Sequence, residues 1–237
     1  MRQLTALQKP VESLENHAGS DWFETKELLV LLNRGRLSKP TKYWVRKRIC
    51  DLILSTVTTI LSAPLLVLIA IMIKLDSRGP VIYRQERVGE GLRIFKIWKF
   101  RTMHVGSSTR PTAIVDEDSG KVRRPFFYED PRVTRIGRIL RKYSIDELPQ
   151  LYNILTGQMS IVGPRPLMIE EGTAVEKLQL GRYSVPSGLT GLAQIKDRSL
   201  VFNPKRFDPD IEYIKEMSFK LDLQIILKTF RVLRQDR

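Results

Sequence analysis

Between Asp51 and Lys74 the chain carries no charged side chain: Leu52 to Ile73, LILSTVTTILSAPLLVLIAIMI, is 22 residues long. At 1.5 Å per residue a straight helix of this length reaches about 33 Å, enough to cross the hydrocarbon of a bilayer. Length permits a span without requiring one. Pro64 lies mid-segment, where it removes a backbone donor and tends to kink a helix. Ser55, Thr56, Thr58, Thr59 and Ser62 precede it, and such hydroxyls can satisfy carbonyls freed by a break. Both flanks are basic, with Arg46, Lys47 and Arg48 before the segment and Lys74 and Arg78 after it. A spanning helix usually concentrates positive charge on its inside flank, so two basic flanks imply that both ends face the cytoplasm. The expectation is a helix broken at Pro64 that dips into one leaflet and returns. A single kinked transmembrane span is the open alternative. About 50 residues precede the segment, so a cleaved signal peptide is not expected.

The rest of the composition narrows the partner. A net charge of +14 on 237 residues calls for a polyanion, be it nucleic acid, an anionic membrane or a phosphorylated substrate. Cys50 is the only cysteine, which excludes an internal disulfide and a cysteine-based zinc site. With only two histidines, His17 and His104, a histidine-rich metal site or a serine triad has little to build on.

Local patterns place the remaining elements. Residues 1–40 read as an arm: Asp21 caps a short helix over about 22–34, and Pro40 stops it. Residues 41–237 form the main domain, with the membrane helix at about 47–75. Alternation on both sides of Gly89 and Gly91 in VIYRQERVGEGLRIFKIWKF predicts a β-hairpin. Those glycines lack a third partner, so they are no dinucleotide fingerprint. The stretch SSTRPTAIVDEDSGKVRRP reads as a loop; its run Asp116, Glu117, Asp118 lacks calcium-loop spacing and reads as a solvated patch. Arg132, Arg135, Arg138, Arg141 and Lys142 recur at helical spacing opposite Val133, Ile136, Ile139 and Leu140. The C-terminal run sets Leu221, Ile225, Ile226 and Leu233 among Lys220, Lys228, Arg231 and Arg234, an amphipathic helix suited to a membrane interface or to packing on the core.

The stretch YSIDELPQLYNIL has two readings. Ser144 with Glu147 matches a capping box, and acidic residues suit a first helical turn, with Pro149 starting the helix and Gly157 ending it. Alternatively, Asp146 and Glu147 are a hard-cation site for a phosphate substrate, set among many cations beside a membrane segment.

Five ordered stretches carry a resemblance: KRICDLILS…APLLVLIAIMIKLDSRGPVIYRQERVG, FKIWKFRTM, DPRVTRIGRILRKYSIDELPQLYNIL, MSIVGPRPL and GLTGLAQI. Over roughly residues 46–233 the chain resembles the bacterial sugar transferase family, the monotopic polyprenyl-phosphate phosphoglycosyl transferases. The resemblance implies an α+β, mainly helical monotopic membrane protein with a re-entrant helix broken at Pro64 and a small β-hairpin. It implies transfer of a sugar-1-phosphate from a UDP-sugar to undecaprenyl phosphate, with release of UMP and a requirement for Mg²⁺. This is a first membrane step of surface polysaccharide or glycoconjugate synthesis at the cytoplasmic face of the bacterial inner membrane. Asp146 matches the family's nucleophilic aspartate and Glu147 its dyad partner, the two together holding the Mg²⁺. Lys99, Arg101, Arg165, Arg182 and Arg198 match positions expected to bind substrate. Arg165 is flanked by Pro164 and Pro166, whose fixed φ would hold a guanidinium suited to bidentate phosphate contact. Two departures stand out: Ala63-Pro64 where members often have Ser-Pro, and Pro186-Ser187 before Gly188. The lipid bilayer is the expected partner. Nucleic acid is not, since few aromatics interleave with the cations and no nucleic-acid motif occurs. A non-catalytic basic scaffold or nucleic-acid binder is the rival reading.

Overall fold

The computed structural model describes residues 36, 38–107, 114–115, 122–123, 130–169, 171, 177–196 and 207–235. The helix expected over 22–34, the acidic run at 116–118 and Arg198 lie outside the described residues.

The apolar segment is the centre of α1, Thr41–Asp76, a 36-residue helix that starts after Pro40 and ends at extended Ser77. The helix is longer at both ends than the expected 47–75, because polar residues outside the uncharged stretch join it. Helical geometry runs through Pro64 without interruption. Upstream, Thr59 Oγ1 donates to the Ser55 carbonyl at 2.7 Å and Ser62 Oγ to the Thr59 carbonyl at 3.4 Å.

Burial along α1 is confined to its two ends. Tyr43, Lys47, Asp51 and Ser55 are buried at one end, Ile69 and Ile73 at the other, and no residue between Ser55 and Ile69 is. The middle exposes Val57, Ile60, Leu61, Leu65, Val67 and Leu68.

Both ends dock on the same body. At the first end, Lys47 Nζ bonds Asp222 Oδ2 at 2.6 Å, Asp51 Oδ1 accepts from the Ile161 amide at 3.0 Å, and Arg48 donates to the Ile154 and Leu155 carbonyls. Two of the flanking cations counted in the sequence are therefore committed to protein rather than to lipid headgroups. At the other end, Ile69 and Ile73 pack on Phe100 and Leu140, and Asp76 Oδ2 accepts from the Ile136 amide at 3.1 Å. Burying each isoleucine contributes about 1.5–3 kcal/mol.

The expected hairpin is β1, Ile82–Val88, antiparallel to β2, Ile94–Phe100, in a register that pairs Ile82 with Phe100 and Val88 with Ile94. Its connection is a 3-10 turn at Glu90–Leu92 in which Gly91 takes φ 63°. Within the stretch read as a loop, β3 (Ile114–Val115) pairs antiparallel with β4 (Val122–Arg123), a ladder too short to show periodicity.

The basic stretch forms α2, Arg135–Lys142, capped by Thr134, whose hydroxyl accepts from the Gly137 amide at 3.0 Å. Val133 and Leu140 are buried as expected, whereas Ile139 is exposed. Gly137 is obligatory here, since a Cβ would sit 2.2 Å from the Thr102 carbonyl oxygen. Next come α3 (Gln150–Leu155) and β5 (Ser160–Val162), which runs parallel to β6 (Gly188–Thr190). The short helix α4 (Leu192–Lys196) leads to α5 (Asp208–Glu216) and α6 (Phe219–Gln235). On α6 the amphipathic expectation resolves into two faces: Ile225 is fully buried in a cluster with Tyr43, Val162, Tyr213 and Met217, while Phe219, Leu223, Leu227 and Phe230 are exposed.

Candidate active site

Asp146 and Glu147 do not cap a helix. Ser144 adopts the left-handed conformation at φ 53°, makes no side-chain cap bond, and turns the chain out of α2 into a 3-10 turn at Ile145–Glu147. The helix begins only at Gln150, after Pro149. Its far end is a Schellman closure: Gly157 (φ 84°) donates to the Ile154 carbonyl and Gln158 to that of Asn153. The apolar neighbours hold the turn on both sides, Ile145 in the cluster under α1 and Leu148 in the cluster around Ile97 and Ile154.

The Glu147 carboxylate reaches instead to two cations, with Oε1 at 2.7 Å from Lys99 Nζ and 3.5 Å from an Arg165 terminal nitrogen. Lys99 is aimed by register. Asn153, fully buried on α3, accepts from the Trp98 amide at 3.0 Å and donates to the Lys96 carbonyl at 2.8 Å, so α3 is clipped to β2. The alternation of β2 then puts Ile97 and Lys99 on one face and Trp98, stacked on Tyr152 at 4.5 Å, on the other. Arg165 rides on a loop tied to β6, where the Gly188 amide donates to the Pro164 carbonyl at 2.9 Å. Close approach requires glycine there, because a Cβ on Gly188 would lie 2.1 Å from the Gly163 nitrogen.

Asp146 is buried, and among the described residues no hydrogen bond reaches its carboxylate. Burial pushes its pKa above the usual range, Lys99 and Arg141 pull it down, and the adjacent Glu147 charge pushes it up. Burial acts on Glu147 in the same sense, but Lys99 and Arg165 outweigh it and hold this carboxyl below its usual range. The dyad is thus polarised: one carboxylate is neutralised by cations, and the other is left with unused lone pairs.

A pocket beside the dyad is lined by Arg87, Ile97, Lys99, Glu147, Gln150, Arg165 and Leu189. Three cations there face one carboxylate, an arrangement suited to a substrate of high negative charge. Among the described residues no group of three metal-ligating side chains occurs. The dyad offers Mg²⁺ two carboxylates, hard oxygen donors of the kind this ion takes.

The structure brings Lys99 and Arg165 to Asp146 and Glu147, but gives Arg101 and Arg182 other posts. Arg101 closes the C-terminus of α1, its Nη2 donating to the Ser77 carbonyl at 2.7 Å and to Ser77 Oγ at 2.9 Å. The Arg182 side chain is 1% exposed and bonds Asp210 Oδ2 through Nη2 at 2.7 Å. The same Nη2 donates to the Arg165 carbonyl at 2.8 Å, so Arg182 positions the loop that carries Arg165. Three site residues were not singled out from sequence. Arg141, counted only in the stripe, is turned inward, donates to Thr102 Oγ1 at 2.8 Å and lies in the field of Asp146. Arg87 and Gln150 looked like ordinary strand and helix residues.

Comparison with known proteins gives the family. A family model described as bacterial sugar transferase matches residues 42–236. The chain is 41% identical over 191 residues to the "UDP-glucose:undecaprenyl-phosphate glucose-1-phosphate transferase" of Escherichia coli (strain K12), covering 77% of this chain and 39% of the relative. It is 42% identical over 193 residues to a protein of the same name from Caulobacter vibrioides, covering 78% of this chain and 68% of the relative. It is 35% identical over 212 residues to the "UDP-N-acetylgalactosamine-undecaprenyl-phosphate N-acetylgalactosaminephosphotransferase" of Aeromonas hydrophila, covering 84% and 46%. The chain spans about two fifths of the length of several of the curated relatives it matches. With a match running from the start of α1 to the end of α6, and with the dyad and its cations inside it, the chain belongs to the bacterial sugar transferase family.

Proposed function

We propose that this protein transfers a sugar-1-phosphate from a UDP-sugar to undecaprenyl phosphate through a covalent intermediate on Asp146. The observation that carries the reading is the polarised dyad, in which Lys99 and Arg165 engage Glu147 while the neighbouring Asp146 carboxylate has no hydrogen-bond partner among the described residues. An Asp146 oxygen attacks the phosphorus that bears the sugar. The bond from that phosphorus to the bridging oxygen breaks, and UMP leaves with the electron pair. An oxygen of undecaprenyl phosphate then attacks the same phosphorus and returns Asp146 to its carboxylate. Lys99, Arg165 and Arg87 hold the anionic donor against the repulsion of the nucleophile, which is the main demand of phosphoryl transfer. Asp146 and Glu147 would hold Mg²⁺, which would supply further charge neutralisation.

The same reading sets α1 as a re-entrant helix at the cytoplasmic face of the inner membrane. Docking of both helix ends on one body, with the apolar middle unburied, supports a re-entrant helix over a straight crossing. A straight 36-residue helix reaches about 54 Å, and one lying along a small domain would bury its middle rather than its ends. Relatives named for glucose and for N-acetylgalactosamine transfer make those two UDP-sugars the first to try.

The test is UMP release by purified protein given UDP-sugars, Mg²⁺ and undecaprenyl phosphate, with Asp146→Asn alongside. UMP formation that depends on Asp146, together with a phospho-sugar adduct on its tryptic peptide when the lipid acceptor is omitted, is the expected result. Turnover by Asp146→Asn at the wild-type rate would overturn the mechanism.

A further inference from the structure

We propose that Arg87 and Gln150 form a donor pair that grips one phosphate oxygen in the pocket beside the dyad, a role that rests on the transferase reading above and deepens it. Two independent observations meet at this spot. The Nε of Arg87 is buried without a hydrogen-bond partner, and so is the Nε2 of Gln150, a residue only 2% exposed. Both residues line the pocket that holds Lys99, Glu147 and Arg165. Buried donors without partners are uncommon in folded proteins and call for a specific explanation.

Arg87 is held firmly but incompletely. One terminal nitrogen donates to Gln85 Oε1 at 2.7 Å and the other stands 3.8 Å from Glu171, which leaves the Nε edge unused. Burial and the nearby charge of Arg165 push its pKa down to about 10 against the opposing pull of Glu171 and Glu147, so the guanidinium remains charged at neutral pH. Gln150 lies one helical turn after Glu147 and brings a neutral donor, which can bind an anionic oxygen without adding further repulsion between cations. A phosphate oxygen, with several lone pairs and a full charge, satisfies both donors. That oxygen can come from the diphosphate of the donor or from the phosphate of the lipid acceptor.

The experiment measures affinity of the full chain in detergent for UDP and, separately, for a short-chain polyprenyl phosphate. It compares wild type, Gln150→Met, which keeps the volume and removes the donor, and Arg87→Lys, which keeps the charge and removes Nε. Each variant should weaken one of the two ligands by about tenfold or more, and the ligand affected identifies the source of the oxygen. Ligand-free Gln150→Met should melt no lower than wild type, because an unpartnered buried donor has been removed. Unchanged affinity for both ligands, or weaker binding accompanied by a lower melting temperature in Gln150→Met, overturns the pair. Wild-type protein that binds neither ligand overturns the transferase reading along with it.

Discussion

Lys99 Nζ lies 2.7 Å from Glu147 Oε1, and this contact joins the hairpin to the 3-10 turn that carries the dyad. Replacing Lys99 with Met leaves Glu147 with Arg165 alone, at 3.5 Å. The Glu147 carboxyl then rises toward or above its usual pKa. Expected is a loss of UMP release of about a hundredfold or more, at a scale comparable to losing one preorganised charge-stabilising donor. Circular dichroism should show the fold intact; wild-type turnover by Lys99→Met would remove the contact from the mechanism.

The two carboxyls shift in opposite directions, and this has consequences for pH. As the proposed nucleophile Asp146 must be ionised to act, and its pKa is raised chiefly by burial, so the rate of the proposed first half-reaction should climb with pH through a midpoint above that of an ordinary aspartate. The midpoint belongs to the pair rather than to one residue. Stability runs the other way. Between the unfolded pKa and the raised folded pKa of Asp146, the folded state holds a proton that the unfolded state has released, so stability falls as pH rises through that window. Glu147, held low by Lys99 and Arg165 against its burial, contributes stability above its unfolded pKa that is lost as pH falls through its folded pKa. Asp146→Asn should therefore melt higher than wild type at pH 8, with the gain shrinking toward pH 4. A constant difference across that range would show that charge is not the cause.

Arg182 and Asp210 are each almost fully enclosed and paired at 2.7 Å. Arg182→Met leaves the Asp210 carboxylate buried without its partner and should cost about 3–5 kcal/mol in urea unfolding, whereas Arg182→Met with Asp210→Leu should recover most of that. UMP release should stay low in the double variant, because the Arg165 carbonyl has still lost its donor. Full activity there would mean that the Arg165 loop holds itself in place.

Asn153 satisfies both the Trp98 amide and the Lys96 carbonyl. Asn153→Leu leaves both part-buried groups without this partner, at about 0.5–1.5 kcal/mol for each bond lost. Thermal unfolding should detect the loss, and activity should fall further than the unfolded fraction explains, since Lys99 loses its register against Glu147.

Topology can be read with the single native cysteine. Cys50 is exposed near the start of α1. In sealed spheroplasts, a membrane-impermeant maleimide should label neither Cys50 nor a cysteine placed at Arg78 in a Cys50→Ser background, and lysis should open both. Labelling of one of the two before lysis would instead mean that α1 crosses the bilayer.

The sequence by itself determined the long apolar helix, the hairpin and the basic α2, because each has a run of residues long enough for period and charge to register. The residues alone left Asp146 and Glu147 open between a helix cap and a cation site, and it was the family resemblance that pointed to the dyad with Lys99 and Arg165. Tertiary structure decided the rest. Ser144 and Glu147 fit a capping box, yet Ser144 turns left-handed because Glu147 has better partners in Lys99 and Arg165. Arg101 and Arg182 match family positions as Arg165 does, but packing sets Arg101 against the end of α1 and Arg182 against Asp210, away from Glu147. The parallel pairing of β5 with β6 joins three-residue strands far apart in the chain, which no local period could reveal. Arg87 and Gln150 lack a local signature for the same reason: an unpartnered donor is a property of what surrounds a side chain, and only the folded chain supplies those surroundings.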